Sequence, residues 1–121
     1  MKPNSIMNLV VIRTNQINKV LSFYQTLGLV FQEEQHGKGP VHYACEHEQI
    51  VFEIYPGKEA ITPDWKKAGA VMLGFKVNGL NEIVKKLKDN GIEIITNPVE
   101  TDRGLRASMS DPDGRRIELI E

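Results

Sequence analysis

Apolar residues recur at helical spacing twice along this chain. Ile17, Val20, Leu21 and Tyr24 stand at i, i+3, i+4 and i+7, and Leu80, Ile83, Val84 and Leu87 repeat the stripe in the second half. One unit is therefore present in two copies. Asn15 and Asn78 precede the stripes as N-cap candidates, and Gly28 and Gly91 follow them where a helix closes on a left-handed residue. Each stripe is preceded by an apolar run that reads as a strand, Asn8 to Arg13 and Val71 to Val77. After each helix come a strand (Leu29 to Glu33; Ile92 to Thr96), a loop and a two-strand hairpin. The first hairpin joins His42 to Cys45 with Ile50 to Tyr55 through a turn near Glu46 to Gln49. The second joins Arg106 to Ser110 with Arg115 to Ile120 through Asp111-Pro-Asp-Gly114, with Pro and Gly placed for a type I turn.

Alternation along the strands sorts side chains onto two faces. Ile117 and Leu119, with Phe52 and Ile54, are the partners for the helices, which leaves Arg116, Glu118 and Ile120, and Val51, Glu53 and Tyr55, on the opposite face. Glu53 and Glu118 are thus equivalent positions of the repeat. In the leading strands Val10 and Ile12 match Leu73 and Phe75 as the helix-facing set, so Leu9, Val11 and Arg13 share the other face with Met72, Gly74 and Lys76. If the two sheets curve together, that face lines a cavity.

A length of 121 residues suits one domain built from two half-domains. The expected division is a module over about 6–56, a linker over about 57–69 and a second module over about 70–121 within one domain, 1–121. The linker carries the only tryptophan, Trp65, and leaves room for a short helical turn after Pro63. A formal charge of −1 with interspersed signs, and lysine pairs such as Lys66-Lys67 and Lys85-Lys86 that read as solvated faces, exclude nucleic-acid binding. No apolar run is long enough for a membrane span or a signal peptide, so a cytoplasmic protein with no membrane partner is expected. The lone Cys45 agrees with a reducing compartment and reads as a small buried hydrophobe.

The paired units, the run Phe23-Tyr-Gln-Thr-Leu-Gly-Leu29 and the closing Asp111-Pro-Asp-Gly-Arg-Arg-Ile-Glu-Leu119 resemble the vicinal oxygen chelate superfamily. That superfamily includes glyoxalase I, extradiol dioxygenases, fosfomycin-resistance enzymes, methylmalonyl-CoA epimerase and bleomycin-resistance proteins. The resemblance implies an α+β fold in which two βαβββ modules form an incomplete mixed-sheet barrel around a cavity, the glyoxalase/bleomycin resistance fold, completed as a homodimer. It also implies where a metal would sit, on a histidine of a module's first strand and a glutamate of its last. Glu53 and Glu118 match the glutamates, but Leu9 and Met72 occupy the histidine positions. Leu9 offers no lone pair and a thioether is too soft for hard divalent ions, so no cofactor is expected and a divalent metal there is disfavoured. Of the three histidines, His42 stands on a strand beside the one carrying Glu53 and is the one placed to replace a lost ligand. His36, in a glycine-containing loop, and His47, in a turn, read as surface residues.

These positions lead to a metal-independent protein that binds a small organic molecule in the cavity of a homodimer. Leu9, Val11, His42, Tyr55, Met72, Arg106, Arg116 and Ile120 are the expected ligand-binding residues, and the repeated carboxylates favour a cationic or hydrogen-bond-donating ligand. The alternative is a lyase or isomerase acting on a small carbonyl compound, or an oxygenase of the same superfamily. Glu118 or Glu53 is then the acid/base, with Arg106, Arg116 or Lys76 stabilising an enolate in place of a metal.

Overall fold

Each copy of the repeat buries one helix stripe against one sheet. The computed structural model describes residues 4–61 and 64–121. The first module runs β1 (Leu9–Thr14), α1 (Ile17–Thr26), β2 (Gln32–Glu34), β3 (His42–His47) and β4 (Ile50–Pro56). The second runs β5 (Leu73–Lys76), α2 (Leu80–Asp89), β6 (Ile94–Thr101), β7 (Gly104–Ser110) and β8 (Arg116–Ile120). The sheets are ordered β1-β4-β3-β2 and β5-β8-β7-β6, and in each the first strand lies parallel to the last while the hairpins are antiparallel. The architecture is α+β, with two mixed four-stranded sheets and no closed barrel.

The strand parity read from the sequence holds. Ile54, Ile117 and Leu119 are fully buried with Val20, Tyr24, Leu80 and Leu87 from the helices, and each such side chain contributes about 1.5–3 kcal/mol by leaving water. Tyr24 joins the modules: its ring meets Phe52 edge-on at 5.0 Å and Phe75 at 5.9 Å. On the opposite face Leu9, Val11 and Met72 stay exposed, whereas Ala44 and His42 are buried.

Helix C-termini follow the glycines. Gly28 and Gly91 both adopt positive φ, and Gly91 and Ile92 donate to the carbonyls of Lys88 and Leu87, closing α2 as a Schellman turn. The N-termini differ from the sequence expectation. The cap residues are Gln16 and Gly79, not Asn15 and Asn78, and neither caps through its own side chain. The Gln16 amide is drawn across to the second module, and the first N–H of α2 is served instead by the Glu121 carboxylate, Leu80 N donating to Oε1 at 2.8 Å, which also suits the helix dipole.

Strand edges shift for local reasons. Leu29 and Phe31 pack on the core before pairing begins, so β2 starts at Gln32, and β5 starts at Leu73, where Ile117 first provides a ladder partner. β6 continues past Thr96, with register shifts around Pro98, which cannot donate to the ladder. In the linker Lys67 N bonds the Asp64 carbonyl as a single turn; Pro63, which opened the expected helical turn, lies outside the described residues. No described helix is long and apolar enough to cross a membrane.

Candidate functional site

The two inner faces and the cleft between them hold most of the residues singled out from the sequence. A cleft of about 770 Å³ lies between the modules, lined by Leu9, Val11 and Arg13 of β1, by Arg115 and Arg116 at the head of β8, and by linker residues including Ile61 and Trp65. A second depression of about 350 Å³ lies over sheet two, between Trp65, Met72, Val99, Arg106 and Glu118. Trp65 and Arg116 border both, stacked with the guanidinium carbon 4.0 Å from the ring centroid. Trp65 thereby fixes the linker onto sheet two as well as offering a planar surface.

The charge balance of the two hollows is set by which groups find partners. In the depression over sheet two Glu118 is ion-paired with Arg106, both about one-third exposed. Arg13 lies over the Tyr55 ring at 4.9 Å and reaches the Pro56 carbonyl, and Arg116 rests on Trp65; among the described residues neither has a carboxylate partner. Among the described lining residues Arg13, Lys58 and Arg116 lack a carboxylate partner and Glu59 lacks a cationic one, so the unpaired charge of the cleft is positive in excess. Of the two repeated glutamates, Glu118 is compensated by Arg106 within its own sheet, whereas Glu53 has no Arg or Lys partner among the described residues.

On the first sheet the glutamate has a different neighbourhood. His42, 1% exposed, sits with its ring stacked on Tyr55 at 4.1 Å between centroids and 8° between planes. Its Nδ1 is 3.2 Å from the Pro40 carbonyl, which can only accept, so Nδ1 donates there and Nε2 is the nitrogen turned toward the carboxylates. Nε2 lies 3.5 Å from Glu53 Oε2 and 3.3 Å from Glu34 Oε1, and His36 Nε2 is 3.7 Å from the same Glu34 oxygen. Glu34 and His36 were not singled out from the sequence. Register brings Glu34 opposite His42, and the His36–Gly39 turn folds the second imidazole over the first; the spacing Glu34, His36, His42 across a hairpin was the available signal.

The family's metal position does not fit these residues. Leu9 is 49% and Met72 48% exposed, neither supplies a suitable donor, and Glu118 is already held by a guanidinium. Ile120 is half-buried on the inner face of β8 beside Arg106, its pairing partner on β7.

Asp111-Pro-Asp-Gly114 is a turn, with Gly114 N donating to the Asp111 carbonyl, and it is also the joint between the modules. Asp111, buried, accepts from the Tyr24 hydroxyl at 2.7 Å, from the backbone of Asp113 and Arg115, and from Arg115 Nη1. Arg115 reaches on to the Arg13 carbonyl at 2.6 Å, and Gln16 donates to Asp113 Oδ1 and the Pro112 carbonyl. Burial, then the adjoining Asp111 charge, pushes the Tyr24 hydroxyl far above its ordinary value. Burial alone would lower Arg115, but its bonds and charge contact with Asp111 outweigh that and hold it above the usual value. The network sets one wall of the cleft by fixing β1 against the head of β8.

A sequence profile of the Glyoxalase/Bleomycin resistance protein/Dioxygenase superfamily matches residues 6–119. No curated protein matches the chain. Among solved structures, a glyoxylase/bleomycin resistance protein/dioxygenase domain from Frankia sp. EAN1pec is similar at a TM-score of 0.73 and 17% identity, with 98% of each chain covered. A glyoxalase family protein from Enterococcus faecalis is similar at 0.63 and 22%, again over 98% of each chain. A lactoylglutathione lyase from Agrobacterium tumefaciens is similar at 0.62 and 14%, over 100% of this chain and 96% of that one. At these identities the likeness establishes the fold.

Proposed function

The chain belongs to the Glyoxalase/Bleomycin resistance protein/Dioxygenase superfamily, and from that premise we propose that it is a binding protein for a small planar organic anion, held in the cleft without a metal at the family's chelating position. The observation that carries this reading is the pair Arg13 and Arg116, two guanidinium groups bordering one cleft without carboxylate partners among the described residues, the second backed by Trp65. An arginine held flat by an aromatic ring offers a carboxylate a preformed fork, and the ring extends the apolar contact. Leu9, Val11 and Ile61 supply apolar lining, the usual makeup of a small-molecule pocket. Pairing of two copies with the cleft near a two-fold interface belongs to the same proposal, supported by the exposed apolar side chains Met7, Leu9 and Val11 along its rim.

The test uses the single tryptophan. Benzoate, then a panel of small aromatic and aliphatic carboxylates, is titrated while Trp65 fluorescence and melting temperature are followed. Saturable quenching with a rise in melting temperature is expected, and Arg116→Ala is expected to weaken binding at least about tenfold. No saturable response to any member, or an undiminished response in Arg116→Ala, refutes the anion reading. Sedimentation at micromolar concentration tests the pair, and a monomer excludes it.

Turnover is the second reading, favoured by one contact. Glu53 lies 3.5 Å from the His42 imidazole, an acid/base pair, whereas Glu118 is engaged by Arg106. Conversion of a small carbonyl compound that is lost in Glu53→Gln but kept in Glu118→Gln supports this reading; loss in neither removes both glutamates from the chemistry.

A further inference from the structure

Three atoms of metal-ligating type converge at the edge of the first sheet. His42, whose Nδ1 is turned to the Pro40 carbonyl, faces Glu34 Oε1 and Glu53 Oε2 with Nε2 at 3.3 and 3.5 Å. His36 Nε2 stands 3.7 Å from the same Glu34 oxygen, and the donor atoms of Glu34, His36 and His42 all lie within 4.8 Å of one another. Tyr55, stacked nearly parallel on His42, also has its hydroxyl within hydrogen-bond distance of Nε2, at 3.2 Å.

We propose that Glu34, His36 and His42 form a binding site for a transition-metal cation of the zinc class, with Glu53 beside it as the further carboxylate. A tetrahedral ion with bonds of about 2.0–2.1 Å holds its donor atoms about 3.4 Å apart; Glu34 Oε1 lies 3.3 Å from His42 and 3.7 Å from His36, which bracket that separation, and the third pair of the trio is within 4.8 Å. Two imidazoles and a carboxylate select zinc, cobalt or nickel over magnesium or calcium, which want oxygen throughout. His42 is preorganised: the Pro40 carbonyl fixes its tautomer and Tyr55 fixes its ring plane. His36, 76% exposed on its turn, is the ligand that closes onto the ion and leaves one side open to solvent. The ion ties β2, the following turn and β3 together, and thereby holds in place the shortest strand of either sheet. This site lies apart from the cleft and from the positions of Leu9 and Met72, and it stands independently of the anion reading.

Chelator-treated, untagged full-length protein is titrated separately with Zn²⁺, Co²⁺ and Ni²⁺, followed by calorimetry, by the visible absorption of Co²⁺ and by melting temperature. One saturable equivalent with micromolar or tighter affinity is expected, with a Co²⁺ band of tetrahedral intensity and a higher melting temperature in Zn²⁺. His36→Ala and Glu34→Gln, both at partly or largely exposed positions where folding is expected to persist, should each weaken binding at least about tenfold. His47→Ala, at the exposed far end of β3, should bind as the unaltered chain does. Absence of saturable binding by all three ions overturns the proposal, and so does binding that His36→Ala and Glu34→Gln leave intact or that His47→Ala abolishes.

Discussion

On the inner face of the first sheet Glu53 lies beside a buried imidazole and a second carboxylate, whereas the equivalent Glu118 of the second sheet is ion-paired with Arg106. The repeat placed the two glutamates alike, and their neighbours on the adjoining strand separated their chemistry. Ala44 stands opposite Glu53 in the ladder and leaves room for His42 two residues further along; Ser108 stands opposite Glu118, with Arg106 likewise two residues away. Two copies of one unit thus place equivalent glutamates in unlike electrostatic surroundings within one chain. The hairpin turns diverge in the same way. The β7–β8 turn is a buried joint between modules, and the β3–β4 turn is an exposed loop in which Glu48 adopts a φ of 54°.

The strongest way to break this comparison is at Asp111. Asp111→Ala leaves Arg115 and the Tyr24 hydroxyl without their shared acceptor inside the protein, and a loss of about 3–5 kcal/mol is expected in urea unfolding. A loss below about 1 kcal/mol would remove the turn from its joining role.

Tyr24→Phe isolates one bond of that joint. It should cost about 1–2 kcal/mol at neutral pH. The hydroxyl is held protonated in the folded chain, so its contribution is complete below the ordinary tyrosine value of about 10. Above that pH the unfolded chain loses the proton while the folded chain keeps it, and stability falls as pH rises. Unfolding midpoints between pH 8 and pH 11, ranges of about this width being sufficient, should show an alkaline decline that is smaller in Tyr24→Phe. Equal declines in both would place the effect elsewhere.

Arg106→Met sharpens the contrast between the glutamates. The pair is about one-third exposed and screened by water, so the stability change should stay within about 1 kcal/mol. Its larger effect should be over sheet two, where a released Glu118 borders the depression that adjoins the cleft at Trp65 and Arg116, and should weaken carboxylate binding measured through Trp65. Unchanged binding would separate Glu118 from the ligand. The smallest effect is expected at Glu48→Gly, which relieves a left-handed backbone at an exposed turn and should raise stability by about 0.5 kcal/mol in the same urea assay.

Much of the fold was legible because its signals are periodic and local. The stripes at Ile17 and Leu80, the closing glycines and the alternation along β4 and β8 each appear within a few residues of sequence. The caps were misread because both helix N-termini take their hydrogen bonds from far along the chain, Gln16 being drawn to Asp113 and Leu80 to Glu121. Asp111-Pro-Asp-Gly114 was legible as a turn, but its burial against Tyr24 was not, since no local pattern brings those residues together. Arg13 was assigned to the inner face by parity, yet its lack of a carboxylate partner became visible only when Arg106 was seen to hold Glu118.

The sequence by itself determined the two-fold βαβββ plan, the face on which each strand residue lies, and the absence of imidazole from the positions of Leu9 and Met72. Those are properties of spacing and residue type, and backbone geometry transmits them directly. Only the tertiary structure decided which charges are compensated, and that Glu34, His36 and His42 meet at one point. Pairing register, turn conformation and side-chain direction act together there, and each depends on contacts between segments distant along the chain.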